Sequence, residues 1–477
     1  MSGDVLILGA SVGGLVAATY LAQAGAHVTV LEAAAMPGGR AANKIAVGDY
    51  AVPEGPHTFA ALDPRVVKEL KLTGLGLGFA CRDLPSVVLQ GGRSLTLSRD
   101  AHETQRGLAA VSEKDAERYP VARREQFAFA RAMRALWWDD GALAGDKKRA
   151  TLRRLQLTES IAWLESQFES DDLKAAFAFD TLQAPPAAAG SALVLAWQAA
   201  QEMCGLQGAV AVPAGGSATL VNALVFAAQT AGVDIRLQAE VARLDIDGEA
   251  VRGAVLTSGE SVAGRTVLSS LTRRKTLLEL LAPGAVGFAA AQRLHPAEVG
   301  EAKLVLALKA CPAAFARPAR YLIAERLEAA ALAYAEARTG KLPSDLFLEA
   351  VVLDPGTTHS GNSQDVLLSV LIRPVPVTPL DGWRTASPHL VQAVLKNLEH
   401  HLPDLAATIT GLGFVPPQSA DAFHLTDMTV SWRARIATPV RGLFLCGAAA
   451  EPVPSVSGRA GRIAAAMAAS HLREAGA

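Results

Sequence analysis

Three side chains that can move a proton or hold a charge lie in or near glycine-containing segments of this 477-residue chain. His57 carries an imidazole, which can accept or donate a proton, and Glu451 and Arg459 stand close together near the C-terminus. Simpler roles remain open for each of them. His57 could bond the backbone of its own loop, and Glu451 could form an ordinary ion pair with Arg459 or Arg462. The sequence therefore names three candidate catalytic residues, His57, Glu451 and Arg459, without choosing their roles.

The N-terminal segment has the pattern of a strand, a glycine turn and a helix that together bind a dinucleotide. Residues 5–8 are a short apolar run, which is typical of a parallel strand buried on both faces. Gly9 allows the tight turn, and Gly14 lets the helix that begins near Gly13 pack closely on the sheet. The free N–H groups at such a helix start sit at the positive end of its dipole, so they favour binding of a pyrophosphate.

Glu32 closes the second predicted strand roughly 20 residues after the turn, with Ala33 beside it. A carboxylate at this place accepts hydrogen bonds from the ribose hydroxyls of a dinucleotide. A 2′-phosphate would meet the same negative charge. The position therefore disfavours NADP as the bound nucleotide.

Ser11 stands where the usual pattern G-x-G-x-x-G has its middle glycine. That glycine normally lets the backbone approach a phosphate without a Cβ atom. A serine is small, and its hydroxyl can itself donate to a phosphate oxygen. The alternative is a degenerate turn with weakened affinity for the cofactor.

A second glycine-rich strand end, residues 442–450, lies more than four hundred residues downstream of the first. Gly447 follows the apolar run Leu-Phe-Leu-Cys, and Ala448 follows Gly447. A single dinucleotide long enough to touch both ends of the polypeptide explains both segments. FAD fits this requirement best.

Composition excludes several classes of protein. The formal net charge of −1 gives no drive toward nucleic acid or an anionic membrane. The four cysteines are scattered without C-x-x-C spacing, so neither a disulfide framework nor a metal site is indicated. No signal peptide or long apolar span is predicted. We therefore expect a cytoplasmic protein with at most peripheral contact to a membrane surface.

The predicted fold class is α/β, with a doubly wound Rossmann-type FAD-binding domain and a substrate domain made of a discontinuous mixed β-sheet and helices. The chain is too long for one ordinary core, so its segments are expected to alternate between domains. The FAD-binding domain is predicted from residues 1–75, 205–285 and 415–477, and the substrate domain from residues 76–204 and 286–414. The main elements predicted in detail are helices at residues 13–24, 327–337 and 389–402, helical structure over 112–183, a hairpin turn at 247–248 and a strand over 262–270.

Seven segments occur in an order that matches a known family over the whole chain. They are Gly9 to Glu32, Gly38 to Arg40, Gly55 to His57, Pro213 to Gly216, Glu240 to Val241, Thr438 to Gly447 and Gly458 to Arg462. In these segments the chain resembles the phytoene (carotenoid) desaturase-like FAD-dependent oxidoreductases, within the wider amine oxidase group. A whole-chain match in the right order is more specific than any one of the motifs.

The resemblance implies particular contacts with FAD. It places Gly39 and Arg40 against the cofactor, with the arginine near phosphate, and Val241 at the adenine edge through its backbone. The turn at residues 447–448 approaches the flavin, and the helix that begins near Ser457 points at it. The full set of predicted cofactor-binding residues is Gly9, Ser11, Gly13, Gly14, Glu32, Ala33, Gly39, Arg40, Pro56, His57, Val241, Gly447, Ala448, Val456 and Ser457.

The chain also departs from the family pattern close to the predicted flavin edge. Alanines and prolines at residues 448–454 replace glycines, and Glu451 stands where a histidine often occurs. A carboxylate beside the flavin would change substrate choice or proton handling. The particular activity therefore does not transfer from the resemblance alone.

The expected reaction is removal of a hydride from a mostly apolar small molecule to flavin N5, while a proton leaves the neighbouring atom. A flavin amine oxidase is one alternative, although this type of enzyme is expected to line its site with aromatic residues and the chain is only 5% aromatic. An NAD(P)H-linked flavin reductase or isomerase and a redox-silent flavin-binding interaction protein are the others. No metal and no nucleic acid partner are expected, and a homodimer is left open.

Overall fold

The computed structural model describes residues 5–90, 92–139, 145–285, 287, 291–324, 326–353 and 365–476. The strands, numbered in chain order, are β1 Val5–Leu8, β2 Val28–Leu31, β3 Lys44–Val47, β4 Tyr50–Pro53, β5 Phe79–Cys81, β6 Ser86–Gln90, β7 Arg93–Leu97, β8 Glu202–Met203, β9 Leu206–Gln207, β10 Val212–Pro213, β11 Asp234–Arg236, β12 Val241–Asp247, β13 Ala250–Leu256, β14 Ser261–Ala263, β15 Thr266–Ser269, β16 Val299–Leu308, β17 Arg320–Ile323, β18 Phe347–Leu353, β19 Val366–Pro376, β20 Ile409–Val415 and β21 Leu443–Leu445. The α-helices are α1 Val12–Gln23, α2 Pro64–Glu69, α3 Ala101–Ala109, α4 Glu113–Asp139, α5 Asp146–Leu155, α6 Ser160–Gln167, α7 Asp171–Thr181, α8 Ala192–Ala200, α9 Ala218–Thr230, α10 Ala329–Arg338, α11 Gly382–His401, α12 Leu405–Thr408, α13 Trp432–Ile436 and α14 Arg459–Gly476.

A five-stranded parallel sheet in the order β11-β2-β1-β15-β21 joins the two ends of the chain. Its central strand β1 is apolar throughout because both of its faces are covered. Val5 and Ile7 pack against helices α1, α9 and α14. Leu6 and Leu8 pack on the other side, against the three-stranded sheet β12-β13-β14. The parallel strands covered on both faces confirm the Rossmann-type prediction, although a three-stranded sheet covers the second face in place of the helices of a doubly wound fold.

A second, seven-stranded sheet has the order β20-β16-β19-β18-β17-β6-β7 and is mixed. Its neighbouring strands are antiparallel except for β17 and β6, which are parallel. Residues 304–308 in β16 are fully buried, so this strand lies at the centre of the protein's second core. Helices α3 to α8 form a separate helical layer, where the fully buried Trp137 donates from Nε1 to the Met428 carbonyl at 2.8 Å.

Two predicted elements differ from the observed ones. The single strand expected over residues 262–270 is wrong, because β14 and β15 belong to different sheets. Gly264 lies between them, where a Cβ atom would sit 2.6 Å from the Leu6 side chain, so the chain turns there under close packing. The helix expected over residues 389–402 begins earlier, at Gly382. The hairpin turn after Asp247 is confirmed.

The predicted division into two domains stays a prediction. The strands of the parallel sheet fall within the three segments assigned to the FAD-binding domain. Among the described residues, no helix is both long and apolar enough to cross a bilayer. The cytoplasmic location, the peripheral membrane contact and the homodimer are likewise predictions only.

Candidate active site

A cavity of about 1360 Å³ lies between the two large sheets. One side is formed by glycine-containing segments that follow strands β1, β2 and β21 of the parallel sheet, at residues 11–13, 38–41 and 446–448. The other side is formed by the seven-stranded sheet and by helices α4, α7 and α8. Ligands of open α/β sheets bind outside the carboxyl ends of the strands, and this cavity has that position.

The first and last glycine segments meet directly at this place. A Cβ atom at Gly13 would lie 2.2 Å from the Cys446 carbonyl oxygen, and one at Gly447 would lie 2.3 Å from the Ser270 carbonyl oxygen. A Cβ atom at Gly461 would in turn lie 2.2 Å from the Gly13 oxygen. Backbone contacts this close require glycine at each position. The structure therefore brings together the two ends that the sequence predicted to share one dinucleotide.

Ser11 is the N-cap of helix α1, where its Oγ accepts a hydrogen bond from the Gly14 N–H at 3.3 Å. Its φ of −70° is open to any residue, so the backbone at this position does not require glycine. The hydroxyl proton of Ser11 remains available because the capping bond uses only the oxygen. Ser11 lines the cavity, as the prediction of phosphate contact requires.

Glu32 lies at the carboxyl end of β2 and is held by backbone donors. Its Oε2 accepts from the Ala10 N–H at 2.7 Å and its Oε1 from the Ala34 N–H at 2.9 Å. Each carboxylate oxygen has a second lone pair, so the group can still accept ribose hydroxyls. Five residues predicted for the first glycine turn and for the adenosine end of the cofactor are not part of the cavity lining. They are Gly9, Gly14, Glu32, Ala33 and Val241.

The loop at residues 38–40 presents unused hydrogen-bonding capacity to the cavity. The Gly38 N–H donates to the Ala10 carbonyl at 2.8 Å, which fixes the loop against the first turn. A Cβ atom at Gly39 would meet no atom within 4 Å, so open space lies beside it. The Nε of Arg40 is buried without a partner among the described residues. Buried donors are rarely left unpaired, so this loop fits a bound phosphate-bearing cofactor.

Glu451 lines the cavity and is almost completely buried. Its Oε1 accepts from the Ser457 hydroxyl and from the Ala460 N–H, the latter at 3.0 Å. Its Oε2 has no hydrogen-bond partner among the described residues. Burial raises the pKa of the Glu451 carboxyl above its usual range, although the charge of Arg459 acts in the opposite direction. The group is therefore held as a neutral acid over a wider pH range, with one oxygen free beside the predicted flavin edge.

The ion-pair alternative for Glu451 is wrong. Arg459 is fully buried and pairs with Asp63 at 3.1 Å, while Arg462 approaches Asp139 at 3.8 Å. Arg459 also stacks on the Trp138 ring, 4.6 Å from its centroid, and does not line the cavity. Its position is structural, because it ties the start of α14 to the start of α2. Val456 and Ser457, in contrast, line the cavity as predicted.

His57 is buried, and its side chain faces the seven-stranded sheet. Its Nδ1 lies 2.8 Å from the Ser369 Oγ and its Nε2 lies 3.1 Å from a Glu349 oxygen. Burial opposes ionisation of Glu349, but the charge of Arg320 and the hydrogen bond from His57 lower the pKa of Glu349 to about 2. An ionised carboxylate only accepts, so His57 carries a proton on Nε2. The partners of His57 are therefore side chains of the seven-stranded sheet and not the backbone of its own loop. Pro56 lines the cavity, whereas His57 does not.

Lys303 is a cavity residue that the sequence analysis did not single out. It lies in β16 and donates from Nζ to the carbonyls of Pro53 and Gly55, each at 2.7 Å. Burial, with a further contribution from Arg40, lowers the pKa of Lys303 to about 8. A lysine at the head of the apolar run Leu-Val-Leu-Ala-Leu is a signal in the sequence that points to a buried cation.

The parallel sheet, the cavity and the glycine segments together define a Rossmann-type flavoenzyme. The chain belongs to the family described as flavin containing amine oxidoreductase, whose sequence profile matches residues 12–309. It is an FAD-dependent oxidoreductase, which confirms the predicted fold class, cofactor and type of enzyme.

Individual relatives agree with this assignment. The chain is 27% identical to the pyridine nucleotide-disulfide oxidoreductase domain-containing protein 2 of Rattus norvegicus, over 97% of this chain and 92% of the relative. It is 26% identical to a lycopene-forming phytoene desaturase of a Paracoccus species, over 95% of each chain. Cyclohexylamine oxidase from Brevibacterium oxydans shares the fold, with a TM-score of 0.62, 16% identity and complete coverage of both chains. The resemblance to phytoene desaturase-like oxidoreductases is thereby confirmed.

Proposed function

We propose that this enzyme dehydrogenates a carbon–carbon bond of a mostly apolar small molecule. One carbon loses a hydride, the neighbouring carbon loses a proton, and a double bond forms between them. When bound, FAD supplies the hydride acceptor at N5. The phytoene desaturase among the relatives supports this reaction class.

The observation that carries the proposal is the neutralisation of the carboxylates on the substrate side of the cavity. Each of these carboxylates has an arginine partner: Asp83 with Arg99, Glu103 with Arg317, Glu301 with Arg373, and Asp180 and Glu349 with Arg320. Of the other lining carboxylates, Asp100 caps α3, Glu54 directly precedes the predicted segment Gly55 to His57, and Glu451 lies beside the predicted flavin edge. Among the described residues, the arginine-paired carboxylates of this wall offer a protonated amine no uncompensated negative charge, which favours a neutral or anionic substrate.

The low aromatic content of the chain does not separate a desaturase-like dehydrogenase from a flavin amine oxidase, contrary to the expectation from composition. Six of the 25 phenylalanine, tryptophan and tyrosine residues of the chain are found among the described residues that line this cavity. Those that line it are Phe59, Tyr119, Phe127, Phe177, Phe179 and Trp197. They form a wall suited to an apolar or conjugated molecule.

Two residues of this chain would handle protons around the reaction. Lys303 can hold or release a proton at Nζ near neutral pH, because its pKa is lowered to about 8. Burial raises the pKa of Glu451 and so favours its neutral form, which places less negative charge beside a flavin that becomes electron-rich on reduction. Both side chains are buried, which limits the access of water to them.

The test is anaerobic reduction of the purified, FAD-loaded enzyme. Apolar hydrocarbons, amines, NADH and NADPH are each added, and flavin bleaching is followed by absorbance. We expect bleaching by an apolar substrate, with a product lighter by two hydrogens in mass spectrometry. Bleaching by amines alone would assign the amine oxidase activity, and bleaching by NADH or NADPH alone would assign a reductase. A protein that stays colourless after addition of FAD would contradict the proposal altogether.

A further inference from the structure

Arg123, on helix α4, places its guanidinium in the wall of the cavity and is half-buried there. It forms no ion pair with any carboxylate in the described part of the chain. Among the residues that the structure describes, its one polar partner is the side chain of Gln126, whose Oε1 accepts from Arg123 Nη1. Arginine has five N–H donors, so most of the donor capacity of Arg123 remains unused.

This lack of a carboxylate partner distinguishes Arg123 from the arginines around it. Four other lining arginines are paired with carboxylates: Arg99, Arg317, Arg320 and Arg373. Arg40 belongs to the predicted cofactor loop, and Arg124 is exposed at the rim. Arg123 is therefore the partly buried cation that the described structure leaves available on the substrate side.

The guanidinium of Arg123 is held in place by its surroundings. It lies 4.4 Å from the centroid of the Phe127 ring and 5.8 Å from that of Phe177. Gln126 is buried and is itself oriented, because its Nε2 donates to the Leu195 carbonyl at 3.0 Å. A guanidinium fixed in this way loses little conformational freedom when it binds a ligand, which favours tight binding.

We propose that Arg123 binds a carboxylate on the substrate, so that the enzyme acts on an amphipathic carboxylic acid. The planar guanidinium can donate two parallel hydrogen bonds to the two oxygens of a carboxylate. The apolar body of the same molecule would lie along Phe177 and Leu195, which line the cavity beside Arg123. This inference rests on the proposed function and specifies the substrate class of the same cavity.

The experiment compares three ligands of equal chain length with the FAD-loaded enzyme: decanoate, decan-1-ol and decylamine. Binding is followed by the perturbation of flavin absorbance and, independently, by tryptophan fluorescence. We expect decanoate to bind at least about tenfold more tightly than decan-1-ol, because a hydrogen bond to a charged group contributes that much or more. Arg123→Gln should abolish the difference while leaving the affinity for decan-1-ol unchanged, and Arg123→Lys should retain part of it.

Arg131→Gln is the matched control, since Arg131 also lies on α4 and donates to a glutamine, Gln207, at 2.9 Å, but is exposed and does not line the cavity. This variant should keep the preference for decanoate. Equal affinity for decanoate and decan-1-ol in the native enzyme, or an undiminished preference in Arg123→Gln, would overturn the inference. The enzyme could also prefer decanoate while neither hydrocarbons nor carboxylic acids reduce its flavin. That result would support Arg123 as the carboxylate-binding residue and refute the proposed dehydrogenation.

Discussion

Replacement of Glu451 by glutamine tests whether burial keeps this carboxyl protonated. The amide keeps an acceptor for the Ser457 hydroxyl and the Ala460 N–H, and its shape matches that of the neutral acid. In the unfolded chain a glutamate releases its proton above a pKa of about 4.3. In the folded protein a glutamate with a raised pKa still holds its proton at that pH. Native stability is therefore lost as pH rises from that value toward the folded-state pKa, whereas glutamine has no such dependence.

The size of the effect follows from proton linkage. Each pH unit within this window costs the native protein about 1.4 kcal/mol relative to Glu451→Gln. The entropy of unfolding is roughly 2.1 cal/mol/K per residue, which gives about 1 kcal/mol/K for 477 residues. The Tm of Glu451→Gln should therefore gain about 1.4 °C over the native Tm for each pH unit, until the folded-state pKa is passed.

The assay is differential scanning fluorimetry of both proteins with saturating FAD, from pH 4 to pH 9. Glu474→Gln serves as the control, because Glu474 is exposed on α14 and its variant should follow the native curve. Two parallel curves for Glu451→Gln and the native protein would show that Glu451 is ionised in the folded state. That result would refute our account of the neutral acid beside the flavin.

Three further predictions follow from the same geometry. Asp63→Asn should lower the free energy of unfolding by about 3–5 kcal/mol at neutral pH, since it leaves the buried Arg459 without its charge partner. The pKa of Asp63 is lowered in the folded protein, so the native protein itself loses this stabilisation in acid, and the difference between the two proteins should shrink below about pH 4. Thermal unfolding measured as a function of pH checks both expectations. Gly13→Ala should lose FAD absorbance and Tm because its Cβ would lie 2.2 Å from the Cys446 oxygen, whereas Gly74→Ala, with no atom within 4 Å, should do neither. Lys303→Met should flatten the pH dependence of flavin reduction near pH 8, and an inflection that persists in stopped-flow traces would assign it to another group.

The sequence could predict the glycine segments because their requirements are local. A turn with φ of +86° at Gly9 and a carboxylate after β2 are both readable within the first 32 residues. The meeting of Gly13 with Cys446 was also predictable, because one dinucleotide has to span both motifs.

The partners of the charged residues could not be predicted in the same way. Asp63 and Arg459 are 396 positions apart, and His57 and Ser369 are 312 apart. Nothing local in either sequence neighbourhood selects the distant partner, since that choice depends on how the two sheets and the helical layer pack. The proposed role of Arg123 likewise depends on the three-dimensional arrangement, in which no carboxylate of the described residues pairs with it.

The close contact of Gly13 with both Cys446 and Gly461 has a consequence for how the protein is made. The floor of the flavin cleft joins residues that lie more than four hundred positions apart in the chain. A nascent chain on the ribosome therefore cannot complete its FAD-binding site until residue 461 has been synthesised. Until then, the edge of β15 that pairs with β21 and the face of α1 that packs on α14 remain uncovered.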